Sequence, residues 1–218
     1  MLIHPWDAPA EDAEWRTWLA AHDFGQLAVN GLDGEPPFVQ PVHVAYATGP
    51  GAYGEALLHL ARPNPLWRAL AAAPRVTLSV VDDYAYIPGP WHAPVGAPPE
   101  HGTPTSYYAA VQLVGVAHVL DDPEEKAELL RRRLDHFQPD GGTARPAVGE
   151  EPFGRMLSGI RGVRIEVTEV RAKFTYGGNK AREVQRRVTG LLARRDGPRD
   201  RAARAQQVRR LAAADREP

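Results

Sequence analysis

Nine residues, His59-Leu60-Ala61-Arg62-Pro63-Asn64-Pro65-Leu66-Trp67, gather the groups best suited to hold an anion. His59-Leu60-Ala61 ends an apolar run, Arg62 sits on the connection, and Asn64-Pro65 opens a helical pattern from Leu66 to Ala73. Asparagine is a favoured N-cap, and proline fits the first helical position. Open N–H groups at a helix start, with a guanidinium beside them, attract phosphate-like groups. A capped surface helix with a solvated Arg62 fits the same residues, and the residues alone leave both readings open.

Other chemistries find less support. The eight histidines, at 4, 22, 43, 59, 92, 101, 118 and 136, form neither H-x-H nor H-E-x-x-H, so no metal centre is expected. Cysteine is absent, which excludes thiolate ligands, disulfides and cysteine nucleophiles and suits a cytoplasmic protein. Gly49-Pro50-Gly51-Ala52-Tyr53-Gly54 matches G-x-G-x-x-G, but it leads into the strand-like Ala56-Leu57-Leu58-His59-Leu60. A dinucleotide fingerprint must open a helix, so this segment reads as a hairpin loop. No P-loop or G-x-S-x-G is present, and no residue stands out as a general acid or base.

The positioning elements follow from periodicity. Residues 7–22 read as a helix, with Trp15, Trp18, Leu19 and His22 at helical spacing. Strands are expected over 25–30, 38–46, 56–61, 75–81, 106–120 and 160–174. Pro41 points to an edge or a bulge in the second, Tyr84-Ile87 pairs or continues after Asp82-Asp83, and Gly115 suggests a break. Asp122-Pro123 caps a helix ending near Phe137. Pro88 to Pro104 holds six prolines and three glycines and reads as a long irregular excursion. Residues 182–192 and 201–214 read as two helices split by Asp196-Gly197-Pro198. Three short turns among the connections, and few helices between strands, favour an antiparallel barrel over a doubly wound sheet. The fold expected is mainly β with helices (α+β), with a barrel domain over 1–178 and an arginine-rich helical tail over 179–218.

The 218 residues carry a net charge of −1, unevenly distributed. Residues 1–60 hold eight acidic residues against Arg16 alone, whereas residues 181–218 hold eleven arginines against five acids. A basic tail can meet DNA or an acidic face of a partner, and equally can be a solvated helix face. No apolar run approaches the roughly 20 residues that span a bilayer, so no membrane association is expected.

The segment His59 to Trp67 resembles the "HxAxxNPxW" block of the PaiB-like proteins, the FMN-binding negative transcriptional regulators. Further blocks resemble that family in the same order: Phe24-Gly25; Ala85-Tyr86-Ile87-Pro88 with Trp91; Pro104-Thr105-Ser106-Tyr107-Tyr108 with Val111 and Gly115; and Ile160-Arg161-Gly162 to Ala172-Lys173-Phe174. The resemblance implies an FMN-binding split β-barrel, a homodimer, with FMN between subunits and its phosphate on a strand-to-helix connection. Carried onto this sequence, it implies cofactor contacts from His59, Leu60, Arg62, Asn64 and Trp67. Gln40, Val42 and His43 would lie at the ring's edge, and Lys173, Asn179 and Lys180 near the same site. The chain departs from the family at two places. The Trp-Asn of "PTWNY" is Ser106-Tyr107, and "SQNR" is Gly177-Gly178-Asn179-Lys180. Lys180 keeps a charge without arginine's planar fork.

The function expected is therefore that of an FMN-binding protein of this regulator family, with DNA contacts through the tail. A flavin-dependent oxidoreductase is one alternative. A haem-binding split barrel, ligated through His43, His59 or His118, is another.

Overall fold

The computed structural model describes residues 1–49 and 51–214. Pro50, inside the hairpin loop read at Gly49–Gly54, lies outside the described residues. The elements in chain order are α1 (Asp12–Ala20), β1 (Phe24–Val29), β2 (Phe38–His43), β3 (Ala45–Ala47), β4 (Glu55–Ala61), α2 (Leu66–Ala72), β5 (Arg75–Ile87), β6 (Thr105–Leu120), α3 (Pro123–Phe137), α4 (Phe153–Met156), β7 (Ile160–Thr175), α5 (Arg182–Arg195) and α6 (Asp200–Ala214). The strands form one antiparallel sheet in the order β2-β1-β5-β6-β7-β4-β3. The expected class, mainly β with helices, is the one found. No helix among the described residues is long and apolar enough to cross a membrane.

Several boundaries differ from the sequence reading for local reasons. The first helix starts at Asp12 rather than residue 7, because Pro9 holds Ala8 extended. The strand expected over 38–46 is two strands. β2 pairs with β1, while β3 pairs with β4, so the chain changes partner at Val44. Pro41, which has no N–H, sits on β2 at the sheet edge. β6 runs unbroken through Gly115, where a Cβ would come within 2.2 Å of the Glu166 carbonyl oxygen. β5 is also continuous. Asp83 takes φ 53° inside it and moves the buried positions from Val76, Leu78 and Val80 to Asp83, Ala85 and Ile87. That is a bulge, and of the two readings left open for Tyr84-Ile87 the strand continues.

The chain folds as two compact units. The larger comprises Arg16–Val80 and Gln112–Arg171; the smaller comprises Met1–Trp15, Val81–Val111 and the chain from Ala172 onward. In the larger unit β4 pairs with β7 from Glu55↔Glu166 to Ala61↔Ile160. α3 packs Ala127, Leu129 and Leu130 against Ala45, Leu57 and Leu157. Its start is as expected: Asp122 accepts from the N–H groups of Glu124 and Glu125, at 2.9 and 3.1 Å. In the smaller unit α5 and α6 bury Val184, Val188, Leu192 and Ala203, together with Phe174, Tyr107 and Trp15.

Candidate functional site

The larger unit contains Gln40, Val42, His43, His59, Leu60, Arg62, Asn64 and Trp67. Asn64 Nδ2 donates to Gln40 Oε1 at 3.2 Å, which fastens β2 to the β4–α2 connection. Asn64 Oδ1 accepts the Leu66 N–H at 3.1 Å. Pro65 has no N–H, so the seven-residue α2 presents fewer open donors than its sequence implied. Arg62 is held on its connection. Its backbone N–H reaches Gly159 O at 2.8 Å, and its Nε reaches Ser158 O at 2.8 Å. One terminal nitrogen lies 3.6 Å from Asp121. Arg161 binds the same carboxylate through both oxygens and is the main cause of its lowered pKa. Arg62 therefore shares an anion already occupied, and half of its side chain stays exposed. Trp67 is packed: its Nε1 donates to Ala61 O at 3.1 Å, and the Arg161 guanidinium lies 4.8 Å from its ring. Val42 and Leu60 are buried.

The most informative contact comes from α3. Its buried stripe carries two cations, Lys126 and Arg133, seven residues apart and in phase with Leu129 and Leu130. Lys126 Nζ donates to the carbonyls of Leu157 and Ile160, at 2.5 and 3.4 Å. Arg133, 8% exposed, donates to His59 Nδ1 and to His43 O, the latter at 3.3 Å. Its buried Nε has no partner, and no carboxylate among the described residues pairs with it. Burial pulls its pKa down to about 10. His59 has to accept at Nδ1, so the neutral ring carries its proton at Nε2. Burial, then Arg133 and His43, bring the His59 pKa down to about 4. Beside these donors stand aromatic faces. His43 packs edge-on to Phe24 at 4.8 Å and to Phe137 at 5.6 Å, and Phe24 is 55% exposed.

The site thus offers hydrogen-bond donors and aromatic surface, with a buried cation lacking a counter-ion. A ligand that fits must be rich in acceptors or negatively charged, and flat. FMN has that character at both its phosphate and its pyrimidine edge, so the residues fit the group. Arg133, Phe24 and Phe137 were not among the site residues expected from the sequence, although Arg133 in the apolar stripe of a helix was a readable signal.

Lys173, Asn179 and Lys180 belong to the smaller unit. Lys173 Nζ lies 3.7 Å from the buried Asp7, donates to Leu2 O at 3.2 Å and sits 5.6 Å from the Tyr108 ring. Lys180 O accepts from Gln185 Nε2 at 2.7 Å. Asn179 is exposed. No group of three or more His, Cys, Asp or Glu residues that could hold a metal ion occurs among the described residues.

Residues 1–169 match the sequence profile of a family described as "Putative FMN-binding domain". The chain belongs to that family. FMN, the cofactor expected from the sequence, is the ligand that gives the family its description. A search of the curated proteins finds no match. Among solved structures, the chain is similar to the flavocytochrome Anf3 from Azotobacter vinelandii. Identity is 19% and the TM-score 0.58, over 79% of this chain and 71% of that one. It is likewise similar to an FAD- and haem-binding protein from Mycobacterium smegmatis, at 18% identity and TM-score 0.58, over 78% and 73% of the two chains. These likenesses establish the flavin-type split-barrel fold.

Proposed function

We propose that this chain is an FMN-binding split-barrel protein whose cofactor is held in the larger unit. Arg62 takes the phosphate. The Gln40–Asn64 pair fixes the wall beside it. Arg133 and the Nε2–H of His59 donate to the acceptor-rich edge of the ring, against Phe24 and His43. The observation that carries this reading is the buried Arg133 with no carboxylate partner. An uncompensated buried charge is costly, and a ligand that supplies acceptors relieves the cost. FMN supplies hydride chemistry when bound, and the chain supplies binding and electrostatics.

The test is titration of the full chain with FMN and riboflavin, followed by flavin fluorescence. Arg62→Ala should weaken FMN about ten- to a hundredfold and leave riboflavin nearly unchanged. Arg133→Met should weaken both. Failure of the wild type to bind FMN at about 100 μM would reject the reading. A red-brown protein with a Soret band would favour haem instead.

Assembly as a homodimer belongs to this proposal, and light scattering giving a monomer mass at micromolar concentration would count against it. A regulatory role through DNA draws on the tail, where several arginines are engaged. Arg195 pairs with Asp200, Arg201 with Asp196, and Arg209 and Arg210 with Glu14. These pairs make FMN binding the better supported function.

A further inference from the structure

The smaller unit contains a groove of about 550 Å³ lined by Val81, Asp82, Tyr84, Ser106, Tyr108 and Arg199. Its walls are alternate residues of two neighbouring strands, Asp82 and Tyr84 on β5 and Ser106 and Tyr108 on β6. Arg199, just before α6, places its guanidinium carbon 5.5 Å from the Tyr84 ring centroid. Among the described residues no carboxylate pairs with Arg199, and the hydroxyls of Tyr84, Ser106 and Tyr108 make no hydrogen bond. Asp82 uses one oxygen to accept the Asp83 N–H at 2.7 Å and keeps the other available.

These groups set the chemistry of a ligand. Two phenol rings favour a flat aromatic system. Arg199 offers donors to an acceptor, and Asp82 offers an acceptor to an N–H donor. An aromatic acid meets Arg199 but is repelled by Asp82, and an aromatic amine does the reverse. A ring amide meets both, since its carbonyl accepts and its neighbouring N–H donates. We infer that this groove is a binding site for a flat, nucleobase-like ring amide, for which the lactam of inosine is the probe. The inference does not rest on the flavin reading, because the two proposals share no residue.

Inosine and adenosine make a matched pair of probes, since they differ at the lactam edge alone. Equilibrium dialysis of the full chain should give saturable inosine binding, with adenosine at least about tenfold weaker. Asp82→Asn and Arg199→Gln should each weaken inosine about ten- to a hundredfold. Both positions are exposed, so both variants should fold. Ser106→Trp, which fills the groove, should abolish binding. Equal binding of the two nucleosides, no saturation up to about 5 mM, or an unchanged affinity in Asp82→Asn would overturn the inference. Competition between FMN and inosine, with FMN binding indifferent to Arg62→Ala and Arg133→Met, would move the flavin into this groove and overturn both proposals.

Discussion

Two histidines, His92 buried and His59 half-buried, divide the molecule's polar interior into two kinds. In the smaller unit, His92 Nε2 and Tyr107 Oη lie 3.0 Å apart. Gln207 Nε2 donates to the same hydroxyl at 3.2 Å, and Gln207 Oε1 accepts from Thr189 Oγ1 at 2.8 Å. Each of these groups has a neutral partner, and the network ties the tail helices to β6. In the larger unit, His59 meets a cation instead, and that cation has a donor left over. Burial lowers both histidine pKa values. The two environments differ in what remains unsatisfied: a closed network holds structure, while an open one awaits a ligand.

The contrast can be broken most forcefully at the closed network. Gly177 has φ 77°, and a Cβ there would lie 2.3 Å from the Tyr107 hydroxyl. Gly177→Ser should cost more than about 3 kcal/mol, by urea denaturation, from clash and strain together. Adding Tyr107→Asn should recover part of that loss, so that the pair costs less than the sum of the singles.

The open site should show itself in acid. His59 is neutral when folded, with a pKa of about 4, against about 6.5 unfolded. Between those values the unfolded chain takes up a proton that the folded chain refuses. Stability is therefore full above pH 6.5 and falls as pH falls towards 4, by about 3 kcal/mol from this group. Denaturation of wild type and His59→Gln at pH 7 and 4.5 measures it, and the variant should lose less.

Arg133→Met sharpens the comparison, because two readouts should move apart. FMN affinity should drop by about 1.5–3 kcal/mol, while the ligand-free protein should be as stable as wild type or more so. Loss of stability without loss of affinity would make Arg133 structural, like Tyr107. The smallest effect is expected for Tyr107→Phe. It should cost about 1–2 kcal/mol of stability and leave FMN binding unchanged, by thermal melts and the same titration.

Much of this was legible in the sequence. The strand set, the α3 cap at Asp122 and the β4–α2 connection follow from alternation, capping residues and the Asn-Pro pair. What escaped was set by contacts distant along the chain. Arg133 meets His59 across 74 positions, so only its place in an apolar helical stripe could have marked it. The glycines at 177 and 178 looked like a weakened motif. In the fold, Gly177 makes room for the Tyr107 hydroxyl and Gly178 for the Trp6 carbonyl, so Tyr107 and Gly177 are one joint departure. Lys173 had the right charge, and the buried Asp7 had already claimed it. The partner change at Val44 is hidden in one unbroken run of strand-forming residues, and the burial shows it: Val44 and Ala45 are both buried, so the alternation slips there.

The Asp83 bulge makes the parity of β5 a matter of one residue. Before it, even-numbered side chains are buried; beyond it, odd-numbered ones are. Were Asp83 paired as an ordinary strand residue, Asp82, Tyr84 and Tyr86 would face inward and Ala85 and Ile87 outward. Deleting Asp83 would straighten the strand and leave Ala85 and Ile87 inward, with Asp82 turned in beside them. The strand's apolar residues stay on one side because a single residue is absorbed outside the alternation, so the face is kept by counting rather than by the chemistry of any side chain.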